Sequence, residues 1–365
     1  MKRPPSLLRA TAALVLSFSI YGCVQQAPTS SQSAPTAQFD PEWIDGVLQP
    51  LPDGFPSEPL VIVNLDDAGS RDGTYARAIA AALAPFVPVD VSVSNAHSAK
   101  GTFPGIVDSL EQPGGSEGRR LVVLSIPGAV SDFHVEPLET QLGRGLDDFV
   151  MVRTTETQPF VFAQRSDAPW GDSFSEFITW AETHEGQVRY ATSTVGSGLD
   201  IAMEWLLREL GLSVVKIPTG SAAAAVATVA AGEADITMSN VDLSKPAIEL
   251  GLLEVIWVST SSVPDEWSRP GVASIADGLE YGFADQPRWG SVMSLGVAGE
   301  VPESHIAWLD AALGAAAGSE AYADHLDGIY GAELYSLTSV ESDALARSTY
   351  DAIEPLIQQL GLGWR

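Results

Sequence analysis

The chain of 365 residues carries 47 acidic and 19 basic side chains, which gives a formal net charge of −28 at pH 7. Such an acidic surface repels a polyanion, so nucleic acid is excluded as a partner. The single cysteine excludes a disulfide within the chain. Because the chain is longer than one compact core usually allows, we expect two lobes.

The first residues predict a lipoprotein signal followed by a tether. Basic side chains precede an apolar stretch, 10–21, that is too short to span a bilayer. The sequence IYGC that ends at Cys23 resembles a bacterial lipobox, so we expect 1–22 to be a signal peptide and Cys23 to be lipidated. Residues 23–38 are rich in Ser, Thr, Pro and Gln, which predicts a flexible tether. The globular part would then be held at the outer face of the cytoplasmic membrane.

Strand-like and helix-like runs alternate along the rest of the chain. Short apolar runs predict strands at 60–63, 89–93, 120–124, 149–152, 160–162, 189–191, 214–217, 234–238, 253–258 and 291–297. Helical spacing of apolar residues predicts helices at 74–83, 174–185, 199–210 and 222–231. The strand at 120–124 leads into SIPGAVSD, which predicts a turn. This alternation predicts an α/β fold with two mainly parallel sheets flanked by helices, whose ligands bind at the carboxyl ends of strands.

Three of the predicted strand-to-helix turns are small and polar. They are 66–74, 192–198 and 218–221, called the first, second and third turn below. The opening N–H groups of a helix have no internal partner and carry partial positive charge, so each turn could hold an anion. The alternative is that the helix caps itself, because Ser197 followed by Asp200 is similar to a capping box. Since the turns come from both expected lobes, we expect them to converge on one cleft.

The second and third turns lie in two segments with a recognisable pattern. The segment YATSTVGSGLDIAMEWL contributes Tyr190, Ala191, Gly196, Ser197, Ala202 and Glu204, and the segment KIPTGSAAAAVATVAAGEADI contributes Pro218, Gly220, Gly232 and Asp235. By the order and spacing of these residues, and by its closing helices over 311–362, the chain resembles the solute receptors of tripartite tricarboxylate transporters, also called the Bordetella uptake family.

The resemblance implies a bilobed fold like that of periplasmic binding proteins, with a hinge of two crossing strands. We expect lobe 1 to comprise 39–155 and 266–365, and lobe 2 to comprise 156–265, with a ligand cleft between them. The resemblance also implies that a small organic acid is bound mainly by backbone amides and is delivered to integral membrane permease subunits. We expect a monomer that catalyses no reaction and holds no cofactor or metal.

We expect hydrogen bonds to the ligand carboxylate from backbone N–H and hydroxyl groups on both sides of the cleft. The predicted ligand-binding residues are Gly69, Ser70, Arg71 and Thr74 in lobe 1, Thr192, Ser193, Gly196, Ser197, Thr219, Gly220 and Ser221 in lobe 2, and Trp289 before the returning strand. The first turn also carries Asp66, Asp67 and Asp72, which would oppose an anion, and Arg71 would offset one of them. These acidic side chains favour a monocarboxylate, or a ligand that also carries an amine or hydroxyl, over a tricarboxylate.

Other functions fit less of the sequence. The glycines around Ser197 are similar to the nucleophile turn of hydrolases, but the G-x-S-x-G spacing is absent and the five histidines are scattered. No lysine follows the glycines as it does in a P-loop, and no ligand spacing predicts a metal site. Three alternatives stay open: a receptor of a TRAP-type transporter, a hydrolase-like lipoprotein, and a lipoprotein that senses or scaffolds instead of transporting.

Overall fold

The computed structural model describes residues 39–66, 69–96, 102–135, 145–281 and 289–361. The predicted signal peptide, Cys23 and the tether lie outside the described residues, as does Asp67. A short antiparallel hairpin, β1 (Trp43–Ile44) and β2 (Val47–Leu48), precedes the main sheets. Within the described ranges, no helix has the length and apolarity needed to cross a membrane.

The first sheet has six strands in the order β14-β6-β13-β5-β3-β4. They are β3 (Leu60–Asn64), β4 (Val91–Asn95), β5 (Arg120–Ile126), β6 (Phe149–Gln158), β13 (Ser291–Ala298) and β14 (Glu333–Leu337). Strands β3, β4 and β5 pair in parallel, whereas β13 runs antiparallel to both β5 and β6. The helices that accompany this sheet are α1 (Arg71–Leu83), α2 (Thr102–Leu110), α3 (Gly128–Val135), α9 (Glu303–Ala317), α10 (Glu320–Asp327) and α11 (Ser339–Leu360).

The second sheet also has six strands, in the order β12-β11-β7-β10-β8-β9. They are β7 (Phe160–Arg165), β8 (Arg189–Thr192), β9 (Val215–Pro218), β10 (Ile236–Asn240), β11 (Leu253–Val258) and β12 (Ala273–Ser274). Strand β7 runs antiparallel to β10 and β11, and the remaining neighbours pair in parallel. The helices in this part of the chain are α4 (Phe174–Thr183), α5 (Gly198–Glu209), α6 (Ala222–Ala230), α7 (Val241–Glu249) and α8 (Gly278–Tyr281).

The predicted fold class is confirmed. In the second sheet, β7 runs opposite to the other five strands. In the first sheet, β13 and β14 run opposite to the other four. Helices flank both sheets, and the described residues belong to one compact unit, Phe39–Arg365. The chain enters the second sheet at β7 and returns to the first sheet at β13. Because each of these strands runs antiparallel to its neighbours, both sheets are mixed.

The two sheets meet where β6 passes into β7. Strand β6 ends at Gln158 and β7 begins at Phe160, so the chain crosses between the sheets without an intervening loop. Asn240, at the end of β10, donates to Gln158 Oε1 at 3.2 Å and to Ser291 Oγ at 2.7 Å, which ties the second sheet to both crossing strands. The expected lobe limits at 155 and 265 stay a prediction; β6 continues to Gln158, and β12 still pairs with β11.

One local prediction was wrong. The sequence SIPGAVSD, expected to form a turn, contains the start of α3 at Gly128. Small residues made it read as a turn, but Ala129, Val130 and Phe133 are buried between the helix and its sheet. Burial of these apolar side chains depends on the rest of the fold, and it stabilises a helix that the local sequence pattern does not predict.

Candidate functional site

The second turn carries a self-contained cap. Ser197 is the N-cap of α5, and its Oγ accepts from the Asp200 N–H at 3.3 Å and lies 2.9 Å from Ser193 Oγ. The Asp200 carboxylate reaches back and accepts from the Gly196 N–H at 2.9 Å. The capping interpretation therefore holds for these two amides, which are not available to a ligand.

The structure brings the second and third turns together. Thr219 N–H donates to the Thr192 carbonyl at 2.9 Å, and Gly220 N–H donates to the Ser193 carbonyl at 2.7 Å. Gly220 has φ +88°, a left-handed conformation that favours glycine. Ser221 then caps α6 by accepting from Ala224 N–H at 3.1 Å. The carboxyl ends of β8 and β9 thus form one continuous edge of small polar residues.

The N-terminus of α5 faces the N-terminus of α3, which follows β5 in the first sheet. A Cβ built on Gly198 would lie 3.1 Å from both Cα and N of Gly128, and 3.6 Å from Pro127 Cγ. A side chain at position 198 would therefore crowd the two helix ends, which pack closely here because this residue is glycine. Sequence reasoning did not include 127–130 in the site; the signal was the glycine after a proline at the end of a buried strand.

The facing helix ends leave backbone donors unused. Within the described residues, no acceptor is assigned to the N–H groups of Gly128, Ala129, Val130, Gly198 and Leu199, called the amide cluster below. All of these residues except Gly128 are buried. Buried N–H groups normally have partners, and two helix N-termini pointing at one place produce a positive potential there. The arrangement suits an anion with several acceptor oxygens.

The first turn lies at the same edge of the first sheet. Ser70 caps α1 by accepting from Gly73 N–H at 3.1 Å. Because β3 and β5 are parallel neighbours, the helices that follow them, α1 and α3, begin at one edge. Gly69 is exposed, and Thr74 is partly exposed and accepts from Arg77 at 3.2 Å. The role of these residues in ligand binding remains a prediction.

The guanidinium of Arg71 is engaged by a buried carboxylate. Its Nη2 forms an ion pair with Glu156 on β6, whose side chain is fully buried. Glu156 also accepts from Tyr322 Oη at 2.5 Å and lies 3.2 Å from His325 Nε2. Burial alone would raise the pKa of Glu156, but His325, Arg71 and Tyr322 together hold it below its ordinary value. The positive charge expected to offset the aspartates of the first turn is therefore shared with Glu156.

Asp72, the second residue of α1, has a carboxyl group with a strongly raised pKa. Desolvation, and then the charge of Asp66, raise its pKa from 3.8 to about 6, although Arg71 lowers it in part. The folded protein therefore binds this proton more tightly than the unfolded chain does. By linkage, the contribution of Asp72 to stability is greatest while this group is protonated and falls as the pH rises from about 4 through about 6.

We expect Asp72→Asn to raise the free energy of unfolding at pH 7.5 by about 1–2 kcal/mol, a value reduced for solvent screening of this partly exposed group. Near pH 4 the gain should shrink towards zero. Urea denaturation at both pH values measures it. The exposed Asp90→Asn serves as the matched control and should change stability at neither pH. An equal gain at both pH values would show that the benefit is not electrostatic.

Trp289 contacts the helix α5. It lies two residues before β13, is 3 % exposed, and its ring centroid is 5.7 Å from that of Trp205 on α5. Its indole Nε1 is buried without a hydrogen-bond partner in the described part of the chain. A buried indole N–H normally has an acceptor, so this donor is available to a bound molecule. Its predicted contact with a ligand stays a prediction.

The site contains no arrangement for nucleophilic catalysis among the described residues. Ser197 Oγ contacts Ser193 and the Asp200 amide. The histidines seen in the structure are hydrogen-bonded elsewhere: His134 to Tyr350, His184 to Trp180, His305 to Glu117 and Asp53, and His325 to Glu156. His97 lies outside the described residues. In the same ranges, no group of three or more His, Cys, Asp or Glu side chains could hold a metal ion.

Two mixed sheets joined by directly crossing strands, with helix N-termini at their common edge, define a solute-binding receptor fold of the periplasmic-binding-protein type. A family model described as the tripartite tricarboxylate transporter family receptor matches residues 76–362. The chain therefore belongs to this receptor family, and the resemblance expected from the sequence is confirmed.

Individual relatives are distant in sequence and similar in fold. A UPF0065 protein of Bordetella pertussis is 22 % identical over 315 residues, covering 85 % of this chain and 92 % of the relative. A TctC solute-binding protein from Polaromonas, solved with no ligand, is 20 % identical with a TM-score of 0.68, over 84 % of this chain and 99 % of that one.

Two similar structures contain ligands. Rpa4515 of R. palustris, solved with adipate, is 19 % identical with a TM-score of 0.68, over 85 % of this chain and 99 % of that one. MatC of Rhodopseudomonas palustris, solved with bound malate, is 21 % identical with a TM-score of 0.61, over 83 % of this chain and 100 % of that one. At this level of identity these structures establish the fold.

Proposed function

We propose that this receptor captures a small carboxylate-containing metabolite at the edge shared by its two sheets and delivers it to a tripartite tricarboxylate-type membrane transporter. The observation that carries the proposal is the amide cluster, in which unused N–H groups from α3 and α5 face each other. A carboxylate has acceptor lone pairs for several such donors, and charge-assisted hydrogen bonds of this kind are strong. The adipate and malate bound to the two similar structures support the same ligand class.

The charges around the site favour a ligand with few carboxylates. Asp66 and Asp72 lie at the first turn, and Arg71 is paired with Glu156. Each further carboxylate on a ligand would meet this negative potential at a cost of about 1 kcal/mol per unit charge at 4 Å in water, and more where water is excluded. We therefore propose a monocarboxylate, or an acid that also carries an amine or hydroxyl.

The proposal includes the setting of the receptor. The lipobox-like sequence at Cys23 and the polar stretch that follows support a lipid anchor at the outer face of the cytoplasmic membrane. A flexible tether would let a monomeric receptor reach its permease while staying near the bilayer. Closure of two lobes about the crossing strands would present the transporter with a surface that differs between the empty and the loaded receptor. No catalytic step is part of this function.

Isothermal titration calorimetry with citrate, adipate, malate, propionate and alanine tests the proposal. We expect at least one of malate, propionate and alanine to bind more tightly than adipate, with citrate the weakest, and the matching carboxamide to bind at least about 100-fold more weakly because it lacks the negative charge. Native mass spectrometry of the protein as purified should reveal a co-bound small acid.

Two results would count against different parts of the proposal. Tightest binding of citrate would overturn the ligand class and leave the carboxylate receptor intact. Absence of heat with every acid, together with no co-bound acid in the mass spectrum, would overturn the carboxylate receptor itself.

A further inference from the structure

Asp200 is a buried carboxylate directly behind the proposed anion site. It is the third residue of α5, and its side chain is fully buried. Its Oδ2 accepts from the Gly196 N–H at 2.9 Å and from Lys216 Nζ at 2.9 Å. Gly196 has φ +86°, so the hydrogen bond to Asp200 holds a backbone conformation that few other residues adopt. The carboxylate therefore controls the shape of the second turn.

Lys216 brings the positive charge to this cluster. It lies on β9, directly beside Tyr190 of β8 in the parallel register, and its Nζ also contacts Glu204 Oε1 at 2.6 Å. Side chains from three elements thus surround Asp200: Lys216 from β9, Tyr190 from β8 and Glu204 from α5. Burial, and then the charge of Asp200, raise the pKa of Tyr190 well above its ordinary value, so the phenol stays neutral. With Asp200 and Glu204 both ionised, these two side chains and Lys216 together carry a net charge of −1, whereas without Lys216 the net charge would be −2.

A carboxylate in the first turn of a helix interacts with the same positive end that would attract a bound anion. Asp200 and the ligand carboxylate would therefore repel each other at the N-terminus of α5. An ion pair with Lys216 reduces the field of Asp200 without removing its acceptor oxygen from Gly196. The same end of α5 can then keep a rigid turn and still bind an anion.

We infer that Lys216 is a positioning residue for anion binding: it neutralises Asp200, so that the carboxylate that shapes the Gly196 turn does not repel the ligand carboxylate. This inference rests on the proposed function and explains how an acidic residue is accommodated at a helix end that binds an acid. Lys216 acts through Asp200 and Gly196 and does not itself contact the ligand.

Three variants test the inference with the same panel of citrate, adipate, malate, propionate and alanine. Lys216→Met should weaken binding of each acid that binds the wild type by about tenfold or more, because an unscreened buried charge acts over a short distance. Lys216→Arg should bind as the wild type does. The double variant Asp200→Asn with Lys216→Met should regain most of the affinity, since asparagine keeps an acceptor for Gly196 and carries no charge.

Asp200→Asn alone covers the case in which Lys216→Met does not fold. It should bind the acids at least as tightly as the wild type. Weaker binding by this variant would overturn the inference, as would equal affinities for Lys216→Met and the wild type. Lys245→Met, which removes an ion pair with Glu249 and a cation–π contact with the Tyr330 ring, is the control for loss of one lysine and should leave binding unchanged.

A measurement without ligand separates this inference from the proposed function. Urea denaturation at pH 7 supplies it. The denaturation midpoint of Lys216→Met should fall, because the buried Asp200 carboxylate then lacks its counter-charge, and adding Asp200→Asn should restore most of the loss. An unchanged midpoint for Lys216→Met would overturn the inference even if the acids bind. Failure of the wild type to bind any acid would overturn only the proposed function.

Discussion

Replacing Gly198 with valine is expected to weaken carboxylate binding at least about 100-fold, because two amide hydrogen bonds of about 1.5 kcal/mol each would be lost. A Cβ at this position already lies 3.1 Å from Cα and N of Gly128, and the γ carbons of valine add further bulk. The N-termini of α3 and α5 would have to move apart, so one anion could no longer contact both. Titration calorimetry with the tightest-binding acid of the panel measures the effect.

A graded series makes this prediction specific. Gly198→Ala adds the Cβ alone and should cost about tenfold in affinity, intermediate between wild type and valine. Gly318→Val is the matched control, since a Cβ there meets its nearest neighbour at 3.5 Å, at the end of a helix outside the amide cluster. It should leave affinity unchanged. Unaltered binding by a folded Gly198→Val protein would show that the two helix ends do not share a ligand.

Replacing Glu156 with leucine is expected to lower the free energy of unfolding at pH 7 by about 3–5 kcal/mol. The substitution leaves the Arg71 guanidinium without its ion pair and removes an acceptor from Tyr322 and His325. Removing one partner of a buried ion pair costs more than the pair contributes, because the other charge stays buried. Urea denaturation followed by circular dichroism measures the change.

The pH dependence gives a second test of the Glu156 prediction. Although burial raises it, the partners His325, Arg71 and Tyr322 hold the pKa of Glu156 in the folded protein below 4.5, the ordinary value of a Glu carboxyl. Its contribution is therefore complete above about pH 4.5 and is lost as the pH falls through the folded pKa. The stability difference between wild type and Glu156→Leu should narrow towards pH 3. The exposed Glu303→Leu, the matched control, should alter stability by less than about 0.5 kcal/mol at both pH values.

Ser197 shows what local chemistry makes predictable. Its position and that of Asp200 are similar to a capping box, and its Oγ accepts from the amide three residues further on. Ser70 and Ser221, expected only as ligand-binding residues, accept from such amides as well. The strand-helix alternation likewise predicted the α/β fold, because side-chain period and turn residues act over a few positions. The family resemblance depended on the two segments that contain the second and third turns, and on the closing helices over 311–362.

The tertiary contacts of Arg71, Gly128 and Lys216 could not be predicted from sequence, for one physical reason. Ligand contact by Arg71 stays a prediction, and its Nη2 also pairs with Glu156 on β6. Gly128 was assigned to a turn, although it begins the helix that faces Gly198. Lys216 attracted no attention, because its partner Asp200 lies on a different element. Charge pairing at these distances in the chain depends on strand order, which the local pattern does not contain.

The sequence by itself determined most of the strands and helices, the helix cap at Ser197, and the receptor family to which the chain is similar. These properties depend on interactions between near neighbours in the chain. The tertiary structure alone decided which helix ends meet and which charges cancel. Crossing between sheets at Gln158 and Phe160 brings α3 and α5, whose starts are far apart in the chain, to one place. Because the anion site is built from backbone amides, few side chains in the sequence indicate it, apart from the glycines that let the two helix ends approach each other.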